Sequence, residues 1–79
     1  MKAVFVKDQN SVLVDEVPSP KLGDGDLIVK MRACGLCGSD LEKVYGQYGM
    51  RSARLGHEIA GEITQTGKEV NGFAPGDRV

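Results

Sequence analysis

Leu-Ile-Val-Lys-Met-Arg-Ala-Cys, residues 27–34, is the stretch that decides the fold class of this chain. Its apolar and polar residues alternate, and in an extended chain alternating side chains point to opposite faces. One face carries the apolar residues Leu27, Val29, Met31 and Ala33. Lys30 and Arg32 lie on the other face. The stretch therefore predicts a β-strand, the clearest one in the chain.

Further strands are predicted on both sides of this stretch. Residues 2–6 alternate and are rich in Val and Phe, residues 8–10 supply a turn, and residues 11–17 are typical of the returning strand of a hairpin. Residues 57–66 alternate again. Residues 75–79 are typical of a turn that leads into another strand, so we expect the chain to be cut off within a larger fold.

A single helix is predicted after the central strand. Ser39-Asp40-Leu41-Glu42 has the Ser-x-x-Glu spacing of a capping box, so a short helix is expected to begin at Ser39 and to end at Gly46. Residues 48–55 are polar and aperiodic, which indicates a loop. Five strand-like segments and one short helix predict a mainly β, barrel-like domain rather than a parallel α/β fold.

Length and composition bound the class of protein. The 79 residues suffice for one small domain, and 41% hydrophobic with 27% charged residues is ordinary for a globular protein. The net charge is −1 and no basic tract occurs, so nucleic acid is not expected as a partner. No apolar run reaches the ~20 residues of a membrane span, and no signal-peptide pattern follows Met1. We therefore expect a cytoplasmic protein with no membrane partner.

Cys37 and His57 are the candidate metal ligands. Thiolate and neutral imidazole are ligand types that zinc prefers, and the predicted helix start places Cys37 just before a positive helix end, where a thiol loses its proton more easily. The alternative is structural: a small buried cysteine and a hydrogen-bonded strand histidine. Cys34 and Cys37 also form a C-x-x-C pair, but that pair ends a strand, so we expect Cys34 to pack and no functional disulfide to form. Tyr45 and Tyr48 would either border a cleft or pack against the domain.

Three motifs carry a resemblance to a known family. Gly56-His57-Glu58-Ile59-Ala60-Gly61, followed by Gly67 and Val70, resembles the G-H-E signature of zinc alcohol dehydrogenases. Cys37-Gly38-Ser39-Asp40 resembles the motif that supplies the first zinc ligand in the same medium-chain dehydrogenase family. Gly76-Asp77-Arg78-Val79 resembles the segment just after the signature, so the resemblance covers essentially the entire chain.

The resemblance implies a fold and a domain organisation. Residues 1–79 would be the N-terminal part of a GroES-like catalytic domain, an incomplete barrel with one short helix. The chain holds no G-x-G-x-x-G motif, so the Rossmann cofactor domain of the family is expected to be absent from it. The parent protein would be a homo-oligomer, and residues 1–79 alone would be inactive.

The resemblance also assigns roles to five residues. Cys37 and His57 would bind the catalytic zinc, with Glu58 as a further ligand. Ser39 would relay the alcohol proton toward solvent, and Asp40 would orient the histidine ligand by a hydrogen bond. For Ser39 and Asp40 a structural alternative stays open, because Ser39 would also cap the helix and Asp40 would also favour the helix dipole.

The function implied is that of a zinc-dependent dehydrogenase acting on an alcohol, polyol or sugar. Zinc would serve as a Lewis acid, and NAD or NADP would accept the hydride. Glu42 stands where several alcohol dehydrogenases have a relay histidine, and Gly38 where some have His or Arg, which favours the polyol, sugar and threonine dehydrogenase branch. The alternative is a non-enzymatic GroES-like binding module, which would need neither Cys37 nor the His57-Glu58 pair.

Overall fold

The computed structural model describes residues 1–46 and 53–79. The regular elements are, in chain order, β1 (Lys2–Asp8), β2 (Ser11–Glu16), β3 (Leu27–Gly35), α1 (Gly38–Tyr45) and β4 (Glu58–Thr66). In this described part the strands form a β1–β2 sheet and a β3–β4 sheet and do not close into a barrel. The prediction of a mainly β chain with one short helix is confirmed.

The chain divides into two compact units. The first comprises Met1–Ser19 and Gly35–Glu58, and the second comprises Pro20–Cys34 and Ile59–Val79. Val6 and Val44 are the buried apolar residues of the first unit among those described, and Ile63 is that of the second.

The predicted hairpin is formed by the two strands of the first unit, β1 and β2. β1 pairs antiparallel with β2, in a register that places Val4 opposite Val14 and Val6 opposite Val12. The turn passes through Asn10, whose φ of 63° lies in the left-handed region that Asn tolerates better than most residues. β2 ends one residue before the predicted bound, although Val17 still donates its N–H to the carbonyl of Met1, which precedes β1.

A short segment pairs with the other edge of β1. The N–H of Val6 donates to the carbonyl of Ala53 at 2.9 Å, and the N–H of Leu55 donates to the carbonyl of Val4 at 3.1 Å. The predicted loop holds for residues 53–55 in that they belong to no named strand, but Arg54 forms an isolated bridge to Phe5. Residues 47–52 lie outside the described part of the chain. The side chains here are aperiodic, but the exposed backbone groups of β1 still require partners.

The second unit contains the β3–β4 pair and a third, short extended segment. The N–H of Ile63 donates to the carbonyl of Asp77 at 2.9 Å, and Gly61 and Val79 exchange two hydrogen bonds of 2.8 and 3.0 Å. Gly76, with φ of 96°, supplies the turn that brings this segment against β4. The predicted turn is confirmed, whereas the strand predicted after it is present only as an isolated bridge between Arg78 and Glu62.

Gly67 is expected to be intolerant of a side chain. A Cβ at this position would collide with the carbonyl oxygens of Gly23 and Asp24, which are backbone atoms and cannot rotate away. We expect Gly67→Ala to lower the free energy of unfolding by about 1–3 kcal/mol, the usual range for overpacking. Urea denaturation measures this change in the free energy of unfolding. Gly25→Ala is the matched control, because a Cβ there meets nothing within 4 Å; equal effects of the two substitutions would contradict the steric argument.

No helix within residues 1–46 and 53–79 combines the length and the apolar composition that crossing a lipid bilayer requires.

Candidate metal centre

The start of α1 differs from the prediction. The helix begins at Gly38 and its N-cap is Cys37, so Ser39 is its second residue and not its cap. Asp40, the third residue, accepts the backbone N–H of Cys37 at 3.1 Å through Oδ2. The acidic partner of the helix start is therefore Asp40 and not Glu42, because a carboxylate at the third position can reach back to the N-cap N–H. The structural alternative for Ser39, helix capping, is wrong.

Asp40 is the buried centre of the site, with 1% of its surface exposed. Besides Cys37, its carboxylate accepts the backbone N–H of Gly56 at 3.3 Å and lies 3.3 Å from Nδ1 of His57. The ammonium of Lys43, one helical turn on, is 3.9 Å away. A buried carboxylate is tolerated only where such partners replace water. The hydrogen bond from the Cys37 N–H, then that from Gly56 and the nearby positive charges, lower the pKa of Asp40.

The geometry around Asp40 fixes the orientation of the His57 ring. Nδ1 faces Asp40, and a carboxylate can only accept, so the Nδ1 proton points at Asp40 and Nε2 is turned toward the other side. The hydroxyl oxygen of Ser39 lies 3.4 Å from Nε2. Asp40 thus does more than favour the helix dipole, since it contacts the ring of His57 directly.

Gly56 forms the turn that places His57 beside Asp40. Its φ of 89° lies in the left-handed region, which a residue with a Cβ enters only at a cost in strain. β4 accordingly begins at Glu58, one residue after the predicted bound. The same turn directs the Gly56 N–H at Asp40.

Three potential ligand atoms converge beside Asp40. The Cys37 sulfur, a ring nitrogen of His57 and a carboxylate oxygen of Glu58 all lie within 4.8 Å of one another. Cys37 is half-buried, whereas His57 and Glu58 are exposed. Sulfur, imidazole nitrogen and carboxylate oxygen are the donor types of protein zinc sites, so this donor set fits a zinc ion.

The electrostatics of the cluster favour a thiolate. Hydrogen bonds from the backbone N–H and then the hydroxyl of Ser39, followed by one with His57, lower the pKa of the Cys37 thiol. The hydrogen bond with Cys37 and then the charge of Asp40 raise the pKa of His57. Both pKa shifts favour the ionised forms, a Cys37 thiolate beside a His57 imidazolium. A metal ion would replace the imidazolium proton, because only a neutral imidazole can bind it.

Other predicted residues are placed differently. Cys34 is exposed in β3, so the expectation that it packs is wrong. Neither cysteine forms a disulfide. Tyr45 is 61% exposed and is not packed against the domain, and Tyr48 lies outside the described residues.

Two groups of the site were missed by the sequence analysis. No sequence pattern indicated that the Gly56 N–H would donate a hydrogen bond to Asp40. Lys43 had a weak signal in its three-residue spacing from Asp40, which places two helical side chains on one face.

Two curated proteins have amino-acid sequences similar to that of this chain. An acryloyl-coenzyme A reductase of Metallosphaera sedula is 45% identical, and an L-threonine 3-dehydrogenase of Aeromonas salmonicida is 37% identical. Each alignment covers 100% of this chain and 25% of the relative. The chain therefore spans about a quarter of the length of the relatives it matches.

The fold and the family are shown by two further comparisons. The crystal structure of 2R,3R-butanediol dehydrogenase from Bacillus subtilis matches with a TM-score of 0.83 at 28% identity, over 98% of this chain and 26% of that chain. The family model of the alcohol dehydrogenase GroES-like domain matches residues 23–79, most of the sequence. The chain therefore belongs to the alcohol dehydrogenase GroES-like domain family.

Proposed function

We propose that Cys37, His57 and Glu58 bind a catalytic zinc ion in an NAD- or NADP-dependent dehydrogenase that acts on a small alcohol, polyol or sugar. The observation that carries this proposal is the convergence of thiol, imidazole and carboxylate within 4.8 Å beside a buried aspartate. A structural histidine or cysteine would not need this arrangement.

The comparisons support the class of reaction. The relatives are named as a reductase and a threonine dehydrogenase, and the structural neighbour is named as a butanediol dehydrogenase. Two of these names contain a hydroxyl-bearing substrate, which favours the alcohol and polyol reading. Since the chain spans about a quarter of its relatives, we further propose that residues 1–79 belong to the catalytic domain and that a separate domain binds the nicotinamide cofactor.

Each residue of the site has a task in this proposal. Cys37 and Glu58 contribute negative charge to the ion. Asp40 holds Nδ1 of His57, which leaves Nε2 available as a ligand atom. When bound, zinc supplies Lewis acidity toward an alcohol oxygen and the nicotinamide supplies the hydride acceptor. The exposed Ser39 hydroxyl, next to the ligand cluster, is suited to pass the released proton to solvent.

The test of the metal site compares the two cysteines of the C-x-x-C pair in the full natural polypeptide. We expect Cys37→Ser to lose one equivalent of zinc by elemental analysis and, after cobalt substitution, to lose the thiolate-to-cobalt absorption of this site. Cys34→Ser is the matched control, because Cys34 lies three residues away but outside the ligand cluster. It should keep both signals. Retention of the full metal content by Cys37→Ser would contradict the proposal and favour a binding module without a catalytic metal.

A further inference from the structure

Gly35, the last residue of β3, lies directly against the side chain of Glu58. A Cβ at Gly35 would be 2.6 Å from Oε2 of Glu58, 3.4 Å from its Cβ and 3.7 Å from its Cδ. The first distance is too short for any real carbon–oxygen contact of this kind. The carboxylate of Glu58 therefore occupies space that exists only because residue 35 has no side chain.

The backbone does not explain the need for glycine here. The φ of Gly35 lies outside the left-handed region, in contrast to Gly56, so an alanine at position 35 would adopt the same backbone conformation without strain. The collision is also with the flexible end of a side chain. In this it differs from Gly67, where backbone carbonyls are in the way. A methyl group at Gly35 would thus displace the Glu58 carboxylate and leave the strand in place.

The displaced group is one of the three that converge on the candidate metal centre. Glu58 is exposed, so its side chain can move, and its carboxylate lies in the space that a Cβ at Gly35 would fill. A side chain at position 35 would therefore change the place of this carboxylate relative to Cys37 and His57.

We propose that Gly35 is a positioning residue, which admits the Glu58 carboxylate to the place from which it can share a metal ion with Cys37 and His57. This inference rests on the proposed function, because it concerns the ligand set of that site. It adds a residue outside the three proposed metal ligands.

The test is a double-mutant cycle in the full natural polypeptide with cobalt as the probe. Gly35→Ala is expected to weaken cobalt binding about 10- to 100-fold, as changes to groups that support metal ligands commonly do. It should also shift the visible d–d bands, which report the ligand arrangement. In a Glu58→Ala background the same substitution should change the affinity less than about twofold, because the carboxylate it displaces is gone.

Gly38→Ala is the matched control. It makes the same chemical change next to Cys37, but a Cβ at Gly38 meets nothing within 4 Å. We expect its cobalt affinity and d–d bands to equal those of the wild type. A comparable loss with Gly38→Ala would show a general sensitivity of the segment and would overturn the role of Gly35.

The remaining outcomes separate the two proposals. Wild-type affinity and bands in Gly35→Ala, or an equal loss in the presence and absence of the Glu58 carboxylate, would overturn the positioning role and leave the metal site standing. Unfolding of Gly35→Ala in both backgrounds, seen by circular dichroism, would also overturn it. If the wild type itself lacked the thiolate-to-cobalt absorption that depends on Cys37, the proposed function would fail, and the role of Gly35 with it.

Discussion

His57→Ala in the full natural polypeptide is expected to remove the zinc ion and to lower kcat/KM for alcohol oxidation at least about a thousandfold. A Lewis acid contributes several kcal/mol to stabilising the developing charge, and each 1.36 kcal/mol corresponds to a factor of ten in rate. His57 is the only histidine of the chain, and its ring nitrogen has no substitute among the described residues near Cys37.

The loss should reflect the metal site and not the fold. The His57 side chain is 47% exposed, and Asp40 would keep its hydrogen bonds from the N–H groups of Cys37 and Gly56. The measurements are zinc content, kcat/KM and the thermal midpoint, with Cys34→Ala as the control that should match the wild type in all three. Near-normal turnover by a His57→Ala enzyme that keeps its zinc would show that the ligand set is wrong.

Ile63→Ala is expected to have the largest effect on stability, lowering the free energy of unfolding by about 2–5 kcal/mol. Ile63 is 1% exposed and is the buried apolar residue of the second unit within the described ranges. Its backbone also joins β4 to the C-terminal segment through hydrogen bonds with Gly76 and Asp77. Truncation of the side chain would leave a cavity, and the described part of the unit has little other buried apolar surface that could compensate for the loss.

The control for this prediction lies in the same strand. Ile59 is 55% exposed, so Ile59→Ala should change the free energy of unfolding by only about 0.5 kcal/mol. Urea denaturation of the three proteins gives the comparison. Similar losses for Ile59→Ala and Ile63→Ala would mean that burial in this unit does not determine its stability.

The fold was predictable where a local pattern determines the structure. The alternation of residues 27–34 predicted β3, and the turn residues before Ser11 predicted the hairpin. The pairing of residues 53–55 with β1 was not predictable, because it depends on an exposed strand edge distant in sequence. The exposure of Cys34 was missed for a similar reason, since a strand pattern does not reveal which face the rest of the chain covers.

The candidate site was predictable in its residues but not in its contacts. The spacing of Cys37 and the His57-Glu58 pair in two motifs marked the three groups that the structure brings together. The cap was assigned to Ser39 because the Ser-x-x-Glu pattern is a stronger local signal than Cys-x-x-Asp. The close fit of Glu58 against Gly35 has no local signal, because it arises between two strands.

The contacts of Asp40 bear on how the protein would be loaded with metal in a cell. The carboxylate ties the start of α1 to Gly56 and His57 through groups that do not include the ion. The two segments would therefore stay joined when an ion leaves, and a new ion would bind without refolding of the chain. In the proposed zinc site, metal occupancy would then follow the concentration of available zinc at each moment, with no folding step between the metal-free and the metal-bound chain.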